Sequence, residues 1–234
     1  MALNHYSVES ALTLKAVTTF IDWETIGLLL GMMVMVGVIS HTGVFEWFAV
    51  EAYKKSGGSI WSLVVILCTV TAVLSAFLDN VTTVLLLTPV TIQLAKVLDL
   101  KPVPLLISEV LFSNIGGAAT MIGDPPNIMI GSGLSESAIK SKDGGIYADL
   151  ASQGVTFNDF ILEMAPGIFM TIVPAFMLLR WMYADEFSGK RIRDVAELEA
   201  KYGIKDAKML TTSGIILGLV ILGFFLHPIT HMPV

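Results

Sequence analysis

Long apolar segments alternate with short polar stretches along this chain. The apolar segments are residues 25–40, 60–78, 81–97, 103–131, 159–183 and 209–228. Roughly 20 apolar residues in a helix cross the hydrocarbon core of a bilayer, which is about 30 Å thick. The pattern therefore predicts an all-α, polytopic membrane protein whose surroundings are the lipid bilayer.

Three polar stretches are predicted to lie outside the bilayer core. Residues 1–24 form an N-terminal polar segment that lacks the apolar core and cleavage site of a secretory signal peptide. Residues 44–55 have one apolar helical face and predict a short helix in the membrane interface. Residues 184–208 carry many charges, with apolar residues at helical spacing, and predict a cytoplasmic amphipathic connection on the membrane surface.

The composition supports a membrane protein and argues against several other classes. Hydrophobic residues make up 54% of the chain and charged residues 15%, with a mean hydropathy of +0.76. A soluble domain carries about a quarter charged residues. The net charge of -6 gives no sign of a nucleic-acid partner. Cys68 is the only cysteine, so neither an internal disulfide nor a cysteine-based metal site is predicted, and no cofactor is expected apart from bound Na⁺.

Lysine and arginine residues predict the orientation of the chain. Seven of the 14 lie between residues 180 and 208, which places that connection in the cytoplasm or its topological equivalent. Counting back through the predicted spans puts eleven of the 14 on the cytoplasmic side and only Lys15, Lys140 and Lys142 on the other side. Both ends of residues 60–97 then lie on the cytoplasmic side. The prediction is an integral multi-pass protein of a plasma or organelle membrane.

Residues 60–97 form two apolar arms joined by the turn FLDNVTT. Two full spans joined by an outer turn would fit the arm lengths. The turn is shorter and less polar than an ordinary outer loop, so we favour a re-entrant helical hairpin whose tip stops near the midplane. At that tip, Asn80, Thr82 and Thr83 can cap the free N–H groups of the second arm, and the same groups can face a bound ion.

A second polar interruption, SNIGGAATMIGDPPN, divides the segment 103–131. Gly116 and Gly117 weaken a helix, and Pro125 and Pro126 cannot donate the backbone hydrogen bonds that a helix needs. Unwound backbone at membrane depth is tolerated only inside protein or beside a water-filled cavity. The stretch therefore predicts a discontinuous transmembrane helix whose free carbonyl groups are oxygen ligands.

The two interruptions together predict a binding site for an ion or a small anion, because a hairpin tip beside a discontinuous helix is a recurrent transporter design. The alternative is that the helix breakers only kink the helix for close packing. Carboxylates inside the membrane are costly and therefore functional by default, but Glu109, early in its segment, is expected to be a structural or solvated residue near the interface. The predicted binding residues are Asp79, Asn80, Thr82, Thr83, Asn114, Gly116, Gly117, Thr120, Gly123, Asp124 and Asn127, with Na⁺ at Asp79, Asn80, Asp124 and Asn127.

The stretches SAFLDNVTTVLLLTPVTIQLAKVL and EVLFSNIGGAATMIGDPPNIMIGS resemble the ion transporter superfamily, and within it the melanocyte P-protein-like branch. Relatives of this branch include arsenite permeases, sodium/proton antiporters and divalent anion/sodium symporters. The close resemblance runs from about Asp22 to Ser132. It implies a scaffold domain, a mobile transport domain built from two inverted halves, and a homodimer.

The chain departs from its symporter relatives at both interruptions. Where they carry Ser-Asn-Thr at the hairpin tip, this chain has Asp79, Asn80 and Val81, and their Gly-Ser-Pro-Pro-Asn becomes Gly-Asp-Pro-Pro-Asn at residues 123–127. Each departure replaces a small neutral residue by aspartate. Added negative charge argues against a di- or tricarboxylate at this half-site and favours a cation or a proton.

By this resemblance, the chain corresponds to about one half of a full-length member. Residues 25–183 would be the first-half membrane domain, and residues 209–234 the first span of a truncated second half. The leading hypothesis is a secondary active transporter coupled to Na⁺ or H⁺, not an enzyme. The alternatives are an ion channel of the same architecture and an intramembrane aspartyl protease. The protease pattern Gly-x-Gly-Asp is absent, because Met121 occupies the position of the first glycine.

Overall fold

The computed structural model describes Ile21 and residues 23–134, 154–189 and 203–230. The elements in these ranges are all helices: α1 (Trp23–Ser40), α2 (Val44–Ser56), α3 (Ile60–Phe77), α4 (Asn80–Val97), α5 (Pro102–Gly117), α6 (Pro125–Gly133), α7 (Phe157–Met182) and α8 (Ala207–Thr230). The predicted all-α class is confirmed for these ranges. Most of the predicted N-terminal segment 1–24, and the centre of the amphipathic connection predicted at 184–208, lie outside the described residues. The predicted division into domains stays a prediction.

Several of these helices are long and apolar enough to cross a membrane. Within the described ranges, α3, α4, α7 and α8 each pass this criterion, and α1 with α2 passes it as a pair bent by 63°. The bend lies at a turn that ends in Gly43, whose φ of 80° is in the left-handed region that favours glycine. The protein is an integral, multi-pass membrane protein.

Helix α2 covers the base of the hairpin that α3 and α4 form. Its apolar face, which includes Ala49 and Tyr53, packs in one cluster with Leu67 of α3 and Leu94 of α4. Its opposite face exposes basic residues in the last turn, including Lys54. The amphipathic pattern of residues 44–55 therefore directs the helix against the hairpin, with its charged face turned away.

At one end of the helix bundle, the turns that the lysine and arginine pattern predicts to be cytoplasmic contact one another. The backbone N–H of Lys205 donates to the carbonyl of Thr42 at 2.8 Å. At the hairpin base, the Lys101 Nζ atom lies 3.3 Å from Glu186 Oε1. The start of α3 also meets the residues that follow α7, since Ile60 N–H donates to the Gly189 carbonyl at 3.4 Å.

The opposite end of the bundle brings together the termini that the same pattern assigns to the other side. Val155 N–H donates to the Leu134 carbonyl at 3.0 Å, which joins the end of α6 to the start of α7. Phe157 stacks on Phe224 of α8 with ring centroids 5.5 Å apart. The contacts at both ends are therefore consistent with the predicted crossing order.

The two arms of the hairpin are shorter than α7. Helices α3 and α4 have 18 residues each, or about 27 Å, whereas the 26 residues of α7 extend for about 39 Å. The tip lies beside the break between α5 and α6, and α6 continues for 9 more residues, about 13 Å. Helices α3 and α4 are also long and apolar enough to be full spans, so the re-entrant form of the hairpin stays a prediction.

Helix α5 packs most extensively along α3 and fixes the hairpin next to α7. Ser75 of α3 donates a hydrogen bond of 2.7 Å to the carbonyl of Ser113 in α5. One position before Ser113, Phe112 meets Phe176 of α7 with ring centroids 4.3 Å apart. A polar contact near the tip and an aromatic contact on the α7 side thus hold α5 in place.

Candidate functional site

Asp79 shapes the tip of the hairpin by starting its second arm. Its backbone is extended, and its carboxylate Oδ1 accepts the backbone N–H of Thr82 at 2.8 Å. This is the usual role of an aspartate at a helix N-cap, where free N–H groups need an acceptor. Only 7% of Asp79 is exposed, so the fold holds its carboxylate inside the protein.

The break between α5 and α6 is attached to the end of the first arm through Thr120. The Thr120 hydroxyl donates to the Ala76 carbonyl of α3. The same hydroxyl oxygen accepts the backbone N–H of Gly123 at 3.1 Å. Thr120 therefore satisfies backbone groups that unwinding leaves without helical partners, as buried backbone requires.

Asn127, in the first turn of α6, joins the two parts of the discontinuous helix. Its side-chain amide donates to the carbonyl of Gly117 at 3.2 Å and to that of Thr120 at 3.0 Å. Two carbonyl groups freed by the break thus share one donor. The predicted site residue Asn127 supports the unwound backbone directly.

Asn80 connects the hairpin tip to both sides of the break. Its Nδ2 atom donates to Asp124 Oδ1 at 2.9 Å and to Asn114 Oδ1 at 3.2 Å. The Asp79 carboxylate lies within electrostatic reach of the Asp124 carboxylate. The tip, the end of α5 and the residue before α6 therefore converge on one point, as the sequence predicts.

Three buried oxygen atoms at the tip have no hydrogen-bond partner among the described residues: Asp79 Oδ2, Asn80 Oδ1 and Thr83 Oγ1. Buried polar atoms are nearly always paired, and an unpaired one costs about 1–3 kcal/mol. All three belong to predicted binding residues. A carboxylate, an amide and a hydroxyl oxygen are the donor types that a hard cation takes.

The charges at this point are unbalanced. In the part of the chain that the structure describes, neither Asp79 nor Asp124 forms an ion pair with a lysine or arginine. The same ranges contain no group of three or more His, Cys, Asp or Glu side chains able to hold a metal ion. A cation here would therefore depend on neutral oxygen atoms as well as on the two carboxylates.

The glycines of the break differ from the prediction in one respect. Gly116 and Gly117 still belong to the last turn of α5, and the irregular stretch begins at Ala118. Helix α5 therefore ends at Gly117, and the Gly117 carbonyl is free to accept the Asn127 side chain. These glycines allow neighbouring backbone to pack closely. A Cβ on Gly117 would lie 2.8 Å from the Gly123 carbonyl oxygen. Their use as carbonyl ligands stays a prediction.

Glu109 is the residue that sequence reasoning misjudged. It is 2% exposed, and its Oε1 atom accepts the Thr91 hydroxyl of α4 at 2.7 Å. The expectation of a solvated side chain is wrong, because α5 turns this residue towards the hairpin. The structural role, which was the other expectation, is consistent with the hydrogen bond to Thr91. Leu105 and Phe112, four residues before and three after Glu109, are buried on the same helical face, but apolar residues on the other faces of α5 obscure this face in the sequence.

Comparisons with known proteins agree with this architecture. A family profile described as "Citrate transporter" matches residues 6–234. An uncharacterized transporter of Mycobacterium tuberculosis is 40% identical over 213 residues, which are 91% of this chain and 45% of that protein. The 46 kDa membrane protein of Mycobacterium leprae is 40% identical over 215 residues, 91% of this chain and 46% of that protein.

The predicted resemblance to the melanocyte P-protein-like branch is confirmed by a further relative. The P protein of Homo sapiens is 45% identical over 188 residues, which are 80% of this chain and 21% of that protein. The chain spans about half the length of the mycobacterial relatives and about a fifth of the P protein.

Proposed function

This chain belongs to the citrate transporter family, and from that premise we propose that its hairpin and discontinuous helix form one cation-binding half-site of a secondary active transporter. The coupling ion would be Na⁺ or H⁺, and the transported solute an ion or a small anion. The observation that carries the proposal is the convergence of Asn80 on Asn114 and Asp124, beside buried oxygen atoms that have no protein partner.

Bound cation would compensate the charge that the fold concentrates here. Two carboxylates without a basic partner repel each other, and the repulsion is stronger in the membrane interior than in water. A cation between Asp79 and Asp124 would remove that repulsion and give the unpaired oxygen atoms a partner. The loaded and empty hairpins would then differ in charge, which allows ion binding to shift the balance between conformations.

The two carboxylates also affect which solute can bind. A carboxylate anion would be repelled by Asp79 and Asp124 unless cations had already neutralised them. Cation binding would therefore precede anion binding at this half-site. The description of the family as citrate transporters makes citrate the first anion to test.

The geometry gives no support to an intramembrane aspartyl protease. Catalytic aspartates of such enzymes share a proton between adjacent carboxyl oxygens. Here Asp79 Oδ1 caps Thr82, and Asp79 Oδ2 has no hydrogen-bond partner, so it does not bond to Asp124. Asp124 is instead held by Asn80.

The test combines ion binding with transport in proteoliposomes. Asp124→Asn removes one charge while keeping a similar shape, and Asp79→Asn keeps an N-cap acceptor. A lost charged contact of about 1.5–3 kcal/mol corresponds to binding of the coupling cation about 10- to 100-fold weaker. Binding of radioactive Na⁺, and citrate uptake driven by a Na⁺ or pH gradient, would be measured for each variant.

A matched control is available in Asp99→Asn. Asp99 is exposed and has a φ of 54°, a conformation that asparagine adopts readily. This variant should retain wild-type binding and flux. Full coupled flux in both Asp79→Asn and Asp124→Asn would rule out the proposed site, and solute flux that ignores both gradients would indicate a channel.

A further inference from the structure

A second intramembrane carboxyl group lies away from the proposed cation site. Glu109 in α5 and Thr91 in α4 are 2% and 1% exposed, and their side chains are hydrogen-bonded at 2.7 Å. Thr91 is eleven residues from the tip residue Asn80 along α4, or about 16 Å. The pair is therefore well separated from the tip and belongs to the interface between the hairpin and the discontinuous helix.

Both helices place this pair at the same depth. Glu109 lies seven residues after the start of α5 at Pro102, and Thr91 lies six residues before the end of α4 at Val97. At about 1.5 Å per residue, each is roughly 10 Å from the cytoplasmic end of its helix. The carboxyl group is thus inside the span, on the cytoplasmic side of the hairpin tip.

The surroundings of Glu109 offer no positive charge. Helix α4 contributes the Thr91 hydroxyl, and α3 contributes the buried Cys68 thiol as an electrostatic neighbour. Helix α7 packs against α5 through Phe176, whose uncharged ring contacts Phe112. Within the described residues, no lysine, arginine or histidine forms an ion pair with Glu109.

We infer that Glu109 is a proton-binding site, separate from the hairpin tip, that is loaded in the conformation seen here. A buried carboxylate without a counter-charge is strongly destabilised, whereas the neutral acid needs only its hydrogen bonds. The Thr91 hydroxyl donates to Oε1, which leaves Oε2 to carry the proton. Release gives a carboxylate and a proton transferred to water, and it requires water to reach the space between the hairpin and α5.

This site provides a way for protons to influence the hairpin. An ionised Glu109 would favour a conformation in which α4 and α5 separate enough to hydrate it, and a protonated Glu109 would favour the packed arrangement. The coupling of this step to solute movement rests on the proposed function. The protonation itself does not, so it can be measured without transport.

The primary experiment is an infrared pH titration of the protein in lipid vesicles. Wild type should show the carbonyl stretch of a protonated carboxylic acid at neutral pH, where exposed glutamates are ionised. Glu109→Gln should abolish this band, while Glu46→Gln, the same change on α2, should leave it intact. An identical band in wild type and Glu109→Gln, or no such band in wild type, would overturn the inference.

Glu109→Asp provides a second test in case the glutamine variant does not fold. It keeps a carboxylic acid at the same position, so the band should persist with a shifted frequency or midpoint. Loss of the band in Glu109→Asp, with thermal unfolding unchanged from wild type, would also contradict the assignment.

Transport supplies a separate readout. Glu109→Gln should lose the stimulation of citrate uptake by a pH gradient, and should keep Na⁺ binding at the tip. Undiminished stimulation would show that Glu109 does not couple protons to transport. If wild type neither binds Na⁺ nor moves solute but the infrared band titrates as expected, the proposed function fails and the proton site stands.

Discussion

Replacement of Gly116 by alanine tests whether the hairpin and the discontinuous helix form one closely packed unit. Gly116 lies where α5 crosses α3, and a Cβ built on it would lie 2.6 Å from both the Cα and the carbonyl carbon of Ala72. These are backbone atoms, which cannot rotate away as a side chain can. The two helices would have to separate, and the separation would loosen the packing around Ser75 and Ser113.

The expected magnitude follows from two opposing effects. The Ala72 carbonyl oxygen would lie closer still to that Cβ than the two carbon atoms, and ordinary contact begins near 3.4 Å, so the helices must move apart by more than about an ångström. Overpacking of this kind costs about 1–3 kcal/mol. Alanine gains up to about 1 kcal/mol over glycine in helix propensity. Because the clash is with backbone atoms, the upper end of the overpacking range applies. The net loss is then about 2 kcal/mol, which for a chain of this size lowers the melting temperature by roughly 4–8 °C.

Thermal unfolding in detergent, followed by circular dichroism, would measure the shift. Gly31→Ala is the matched control, because Gly31 is inside α1 and a Cβ there would meet nothing within 4 Å. That variant should be neutral or slightly more stable than wild type. A melting temperature of Gly116→Ala equal to that of Gly31→Ala would refute the close crossing of α3 and α5.

Two further changes test the tip and the start of α7. Asn80→Ala removes the donor to Asn114 and Asp124, so we expect about 1–3 kcal/mol lower stability and weaker binding of Na⁺. A variant that binds Na⁺ and melts like wild type would argue against a role for these two hydrogen bonds. Thr156→Ala removes the capping box that Thr156 forms with Asp159, so we expect the first turn of α7 to be about 1 kcal/mol less stable. Hydrogen exchange in that turn should be faster while citrate uptake is unchanged, and unaltered exchange would contradict the cap.

Much of the architecture could be predicted from local features of the sequence. The apolar segments predicted helices of membrane length, because crossing the hydrocarbon core sets a minimum number of apolar residues. The turn at Asp79 and the Gly-Pro stretch at 113–127 predicted where helices stop, because an N-cap and a proline act on neighbouring backbone groups. The lysine and arginine count predicted which helix ends lie on the same side, and the contacts at each end of the bundle are consistent with that grouping.

Other features depended on packing between distant segments. Helices α4 and α5 are apolar on most faces, so periodicity does not indicate which side faces the protein interior. Glu109 was expected near the interface because it lies early in its segment, and its burial against Thr91 became clear only in the folded chain. The role of Gly116 also could not be predicted, because it depends on contact between α5 and the distant Ala72 backbone in α3.

The sequence by itself determined a polytopic helical protein with two polar interruptions, each carrying an aspartate, because helix length and helix breaking are local properties. Only the tertiary structure decided which polar atoms meet. Asn80 and Asp124 are 44 residues apart, and their contact depends on how α3, α4 and α5 pack. That packing is a property of complementary surfaces, which no single segment of the chain contains.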